Sequence, residues 1–114
     1  MTLDKLLDHS LSKPDVEESF PFGPDVLVLK LHGKVFLLIP LNNYPIQFNA
    51  KCDPERAILL REEYASIIPG YHMNKKHWNT IILDGTIPNS LIFELVDHSY
   101  DLVKSNPRKR NNVK

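Results

Sequence analysis

The chain has 114 residues, of which 42% are hydrophobic and 25% charged, with 14 basic and 14 acidic groups. This length fits one domain with a core of its own, and the even charge excludes a uniformly basic nucleic-acid binder of the histone sort. No apolar run approaches the ~20 residues a membrane span requires; Cys52 is the single cysteine, so no internal disulfide can form, and a cytoplasmic protein without a membrane partner is expected.

Leu3, Leu6, Leu7 and Leu11 recur at helical spacing behind Thr2, a plausible N-cap. Asp4, Lys5 and Asp8 lie among these leucines, unlike a secretory signal. The helix should end by Lys13, because Pro14 disfavours helical geometry in the residue before it. The segment 14–24 is expected to be a loop, with Phe20 and Phe22 as two aromatic anchors to the core. Val26 to Leu31 and Val35 to Ile39 are β-rich runs joined by His32-Gly33-Lys34, which predicts a hairpin with Gly33 at positive φ. Ile46 to Lys51 alternates: Ile46, Phe48 and Ala50 share one face, and Gln47, Asn49 and Lys51 the other. That second face is expected to be wet or covered by a partner.

Asp53-Pro54-Glu55 is a helix start, with an acceptor at the N-cap, proline at N1 and an acid in the first turn. This helix should run to about Glu63 and turn Ala57, Leu60 and Tyr64 inward. Trp78 to Leu83 predicts another strand, closed by Asp84-Gly85. Pro88 opens the last helix, with Leu91, Ile92, Leu95, Val96, Ser99, Leu102 and Val103 as its inner face. From Lys104 onward apolar periodicity stops, and a disordered basic tail is expected over 105–114. The order implies one α+β domain over 1–104, an antiparallel sheet with helices packed on one face.

Charge is unevenly distributed. Residues 1–25 hold six acids and two lysines, whereas 102–114 hold five basic residues and no acid. The tail cations Arg108, Lys109 and Arg110 could reach phosphate or simply keep the chain in solution. The densest polar segment is Pro69 to Asn79, which holds His72, His77, Lys75, Lys76, Asn74, Asn79, Tyr71 and the only tryptophan, Trp78. Its lysines suit phosphate and its amides suit phosphate or base edges, while its rings can stack. The same residues would also serve a purely architectural turn, with Trp78 plugging the core. Lys51 could extend such a patch.

Other chemistries are poorly supported. The four glycines are far apart and at turns, so no phosphate-binding glycine loop can be built. His72 and His77, five positions apart, do not share a strand or helix face, and too few Cys or His ligands accompany them for a structural zinc site. Cys52 lies between a strand and a helix N-cap, where a thiolate can be stabilised, and is otherwise a small buried filler. Glu17-Glu18 and Glu62-Glu63 are adjacent pairs that do not share a helix face, as solvated charges would be arranged. No catalytic residue, metal or cofactor is expected.

Four motifs occur in order: Phe20-Pro21-Phe22-Gly23-Pro24-Asp25, Lys51-Cys52-Asp53-Pro54-Glu55-Arg56-Ala57, the run from Pro69 to Thr80, and Asp97-His98-Ser99-Tyr100-Asp101-Leu102-Val103. In this order and spacing the chain resembles the MmcQ/YjbR-like family over residues 2–104. The resemblance implies a small bacterial domain with a CyaY-like, frataxin-like arrangement, described for the family as a double wing that binds DNA. Frataxin-like proteins carry iron on an acidic first helix; Asp4, Asp8, Asp15, Glu17 and Glu18 are sparser than that role needs. The helix from Asp53 is balanced in charge, and the last helix has Glu94, Asp97 and Asp101 outside, so neither resembles a recognition helix. The reading that results is a non-enzymatic DNA-binding or regulatory module. Duplex DNA would be contacted by His72, Asn74, Lys75, Lys76, His77 and Asn79, flanked by Lys51 and Arg56, with Tyr71 and Trp78 as stacking or structural anchors. A protein-interaction module using the polar sheet face is the alternative, as is a small-molecule or anion pocket around Tyr71, His72, Lys76 and His77.

Overall fold

The computed structural model describes residues 1–70 and 73–105; Tyr71, His72 and the basic tail from 106 lie outside the described residues. Helix α1 (Leu3–Leu11) starts where expected, with the Thr2 hydroxyl accepting the Lys5 N–H at 3.2 Å. An edge strand follows that the sequence did not announce: β1 (Val16–Ser19) pairs with β2 (Val26–Leu31) and sets Glu17 opposite Lys30. This cross-strand pair of opposite charges supports an otherwise acidic strand. Phe20 and Phe22, expected as core anchors, are instead 48% and 68% exposed, in the loop between β1 and β2 and outside the ladder that turns side chains to the core.

Strand β2 turns into β3 (Lys34–Pro40) through only two residues, His32 and Gly33, both at positive φ. Two left-handed residues match the twist of the strands they join; the sequence exposes the glycine but not the histidine. Leu29 pairs with Leu37 and Lys30 with Val35, so Phe36 is the extra residue of a β-bulge. Phe36 and Leu37 are both fully buried, and Phe36 meets the ring of Tyr100 edge-on at 5.4 Å.

Strand β4 (Gln47–Lys51) leads into helix α2 (Pro54–Glu63), whose Asp53 carboxylate accepts the Arg56 N–H at 3.1 Å. A short β5 (Ile67–Pro69), β6 (Trp78–Ile82) and α3 (Asn89–Ser105) complete the chain. Helix α3 runs to Ser105, one residue past the expected domain end; the Lys104 ammonium lies 6.0 Å from the Tyr100 ring and sits in the last turn, where a cation suits the helix dipole.

The six strands form one antiparallel sheet in the order β1-β2-β3-β4-β6-β5. Helix α3 crosses β2, β3 and β4, α2 covers β5 and β6, and α1 packs on α3 and β1. One core joins them: Leu29, Leu37, Ile39, Phe48 and Ile81 from the sheet meet Leu6, Ala57, Ile92 and Val96 from the helices. The chain is therefore an α+β domain with its helices on one side of the sheet; on the opposite face Val28, Asn49 and Thr80 are buried, and Val26, Leu38 and Pro40 are half-buried.

Two polar details fix α3, one to the sheet and one to the α1 end of the chain. Where the bulge ends the β3–β4 ladder, the Ser99 hydroxyl donates to the Phe36 carbonyl at 2.6 Å and accepts the Lys51 N–H at 2.9 Å. Asp97 accepts from Lys13 at 2.6 Å and from His9 at 2.7 Å, while the His9 ring stacks on Phe93 at 4.4 Å. Burial alone would raise the Asp97 carboxyl; the Lys13 and His9 contacts outweigh it and hold the group below its ordinary range.

Candidate nucleic-acid interface

Strand register decides which of the expected site residues can work together. β4 pairs with β6 so that Lys51 lies opposite Trp78, Asn49 opposite Thr80, and Gln47 opposite Ile82. Paired residues share a face, so Lys51 and Trp78 stand side by side on the face away from the helices. Ala50 and Asn79 form the neighbouring pair and face the helices instead.

Asn79 is thereby removed from the expected surface. It is 2% exposed, its Oδ1 accepts from Arg61 Nε at 2.6 Å, and its amide reaches the Ala57 carbonyl at 3.5 Å. Its role is to tie α2 to β6. Arg56 lies on the helical layer, where its guanidinium is paired with Glu94 of α3. Strand alternation from Trp78 carries the signal for Asn79. The Arg56–Glu94 pair, 38 positions apart, has no local signal.

The segment between β5 and β6 is tied at both ends. Gly70 N–H donates to the Trp78 carbonyl at 2.9 Å, and a Cβ on Gly70 would lie 2.8 Å from that of Trp78. Only glycine permits so close an approach. Further along, the Asn74 side-chain oxygen accepts the Lys76 N–H at 2.9 Å, and the Asn74 carbonyl accepts the His77 N–H at 3.2 Å. This is a side-chain-closed turn, so the oxygen of Asn74 is architectural. The His77 carbonyl accepts the Cys52 N–H at 2.8 Å, and the Arg61 guanidinium bonds the Lys75 carbonyl. Arg61 therefore holds both this segment and Asn79, a role the sequence reading missed.

What remains outward is a cationic edge. Lys75 and Lys76 are exposed, and His77, Trp78 and Lys51 are half-buried. Lys75 Nζ has one distant contact, 3.4 Å to the Gly70 carbonyl. Lys51, Lys75 and Lys76 form no ion pair with any carboxylate among the described residues. Tyr71 and His72, which belong to the same expected site, lie outside those residues.

Beside this edge lies a groove of about 480 Å³ on the face away from the helices. Val26, Leu38 and Pro40 make an apolar floor, with Phe22 and Met73 also lining it. Asn43, Gln47 and Asn49 supply its polar groups. The face expected to be wet is thus largely apolar, and Asn49 is only 4% exposed. Its Oδ1 accepts from the Thr80 hydroxyl.

Cys52 offers no reactive thiolate. It is 3% exposed, and burial pushes its thiol up to about 11 despite the nearby Arg56. His98 accepts the Asp53 N–H on Nε2 at 3.1 Å, so it is neutral there; burial, then Arg56, lowers its affinity for a proton. Asp84, closing the β6 turn, accepts from Ser66 and Thr86, which hold its carboxyl down to about 2. No helix among the described residues is long and apolar enough to cross a membrane.

Comparison with known proteins places this arrangement. The YjbR family model matches residues 11–102. The chain is 41% identical to YbdF of Escherichia coli O157:H7 over 103 residues, covering 90% of this chain and 84% of that protein. It is 37% identical to YjbR of Escherichia coli K12 over 101 residues, covering 88% and 85%. Among solved structures, Deinococcus radiodurans DR2400 superposes with a TM-score of 0.88 at 40% identity, covering 92% of this chain and 80% of that one. A Pseudomonas syringae protein gives a TM-score of 0.78 at 27% identity, covering 90% and 99%.

Proposed function

The chain belongs to the YjbR family, and from that premise we propose that it is a non-enzymatic, cytoplasmic DNA-binding or regulatory module. It meets phosphate through Lys51, Lys75 and Lys76, with His77 and Trp78 beside them. One observation supports this reading above others: three lysines without carboxylate partners among the described residues share the edge where Lys51 faces Trp78 across two strands. Unneutralised ammonium groups on a rigid edge suit a polyanion, because each phosphate met releases condensed counterions.

The test is titration of a mixed-sequence duplex at several salt concentrations. Each neutralised phosphate lowers log affinity by about 0.9 per log unit of salt, so three lysines give a slope near −3. Lys76→Ala should bring it near −2. Absence of binding at low salt in the high-micromolar range overturns the reading for bare DNA.

A second reading, a protein-interaction module, is favoured by Ile58 and Leu59, adjacent on α2 and 52% and 63% exposed. It expects a complex in cell extract that survives nuclease and is lost on Leu59→Lys.

A further inference from the structure

We propose that the groove beside the lysine edge receives an unpaired nucleobase, so that single-stranded nucleic acid is the preferred ligand of this surface over duplex. The inference rests on the phosphate-binding reading above and names the substrate class of the same site.

The argument starts from width. The groove floor spans β2, β3 and β4, and three strands at ~4.8 Å spacing cover about 10 Å before any side chain is counted. Phe22 and Met73, carried on two separate loops, add to that breadth. A duplex major groove admits one helix or a two-stranded ribbon, and a three-stranded floor exceeds that, so paired bases do not reach it. An extruded base can, because it presents both its face and its edge.

The chemistry of the lining fits such a guest. Val26, Leu38 and Pro40 give an apolar bed, and the Phe22 ring is 68% exposed. An aromatic ring held in water at the mouth of an apolar groove is a stacking platform that tolerates any base. Gln47, Asn43 and Asn49 offer carboxamides to the groove, Asn49 with its Oδ1 held by the Thr80 hydroxyl. A carboxamide can both donate to and accept from a base edge.

Charge complementarity selects the occupant. Asn49 and Lys51 are two residues apart on the same face of β4, about 7 Å along the strand. One nucleotide can therefore have its base at Asn49 and a phosphate at Lys51. Met73 lines the groove, and Lys75 and Lys76 follow it in the same segment, so the backbone path leads from base site to cationic edge. An apolar peptide would use the floor but would leave these lysines without a counter-charge.

The experiment uses the full chain and fluorescence anisotropy at low salt. The probes are labelled dT12, an abasic strand of equal length, and a blunt 12-base-pair duplex. dT12 should bind at least fivefold tighter than either of the others. Phe22→Ala, at a largely exposed position whose melting temperature serves as the folding check, should weaken dT12 at least fivefold and leave the abasic strand unchanged. Lys76→Ala should weaken all three. Equal binding of dT12 and the abasic strand, or a Phe22→Ala variant with unchanged dT12 affinity, overturns the base site. In that case duplex binding with the expected salt slope would leave the phosphate reading standing. Failure of every probe to bind overturns both. A Phe22-dependent complex with a nuclease-resistant protein, without any Phe22 effect on dT12, would assign the groove to a peptide instead.

Discussion

Replacing Ser99 with alanine should be far more costly than its single lost oxygen suggests. The hydroxyl bridges the Phe36 carbonyl at 2.6 Å and the Lys51 N–H at 2.9 Å, where the bulge prevents those two strands from bonding directly. Alanine leaves both backbone groups without a partner. Ser99 is fully buried, so water cannot readily replace the hydroxyl. An unsatisfied buried backbone group costs about 1–3 kcal/mol. Lys51 is partly exposed and falls at the low end, which gives a sum of about 2–4 kcal/mol. For a domain of this size that corresponds to a fall in melting temperature of roughly 8–16 °C. Ser10→Ala is the matched control. Ser10 is also fully buried and donates to the Leu6 carbonyl at 2.7 Å, but that carbonyl already accepts a bond from its own helix. Its loss should cost under about 1 kcal/mol. Urea denaturation of the two variants and the parent decides the matter. A Ser99→Ala loss no larger than that of Ser10→Ala would refute the bridging argument.

Gly70→Ala should destabilise the domain by about 1–3 kcal/mol, since the new methyl would lie 2.8 Å from Trp78 Cβ and 3.0 Å from its carbonyl oxygen; a variant that melts with the parent contradicts that contact. His98 makes stability depend on pH. Its folded pKa is lowered, so the unfolded chain takes the proton first; stability is fully present above about 6.5 and falls as pH drops through that value toward the folded pKa. His98→Gln should flatten the stability profile between pH 7.5 and 5.5, and an unchanged slope argues against the role. Cys52, with its thiol near 11 and its side chain 3% exposed, should react with a disulfide reagent at pH 8 only as fast as the protein opens. Labelling within seconds in the absence of denaturant would contradict its burial.

The helices were legible because their signals are local. Thr2, Asp53 with Pro54, and Pro88 each mark a start within a few residues, and the structure places α1, α2 and α3 accordingly. The β4 alternation also holds, with Phe48 and Ala50 inward and Lys51 outward. What escaped depends on distant partners. β1 forms because β2 offers it an edge and Lys30 faces Glu17, neither of which is visible in Val16 to Ser19 alone. Tyr100 is buried against Phe36 with its hydroxyl donating to the Pro14 carbonyl at 2.7 Å, 86 positions away. In the candidate site the density of polar residues was plain, but their division was not. Lys75 and Lys76 point outward, whereas Asn79 is held by α2, and strand register makes that separation. Phe22 misled for the opposite reason: a large ring suggests burial, yet here it stands at the mouth of a groove.

The two ends of the sheet differ in sequence but act alike. Strand β1 carries adjacent carboxylates at Glu17 and Glu18, and β5 is three residues long and ends in Pro69. Like charges repel a second acidic strand, and a short strand terminated by proline offers little ladder to extend, so neither border favours growth of the sheet by another chain. Visitors to this molecule should therefore arrive broadside, by way of side chains, and high concentrations should yield dispersed particles rather than ribbons of stacked sheets.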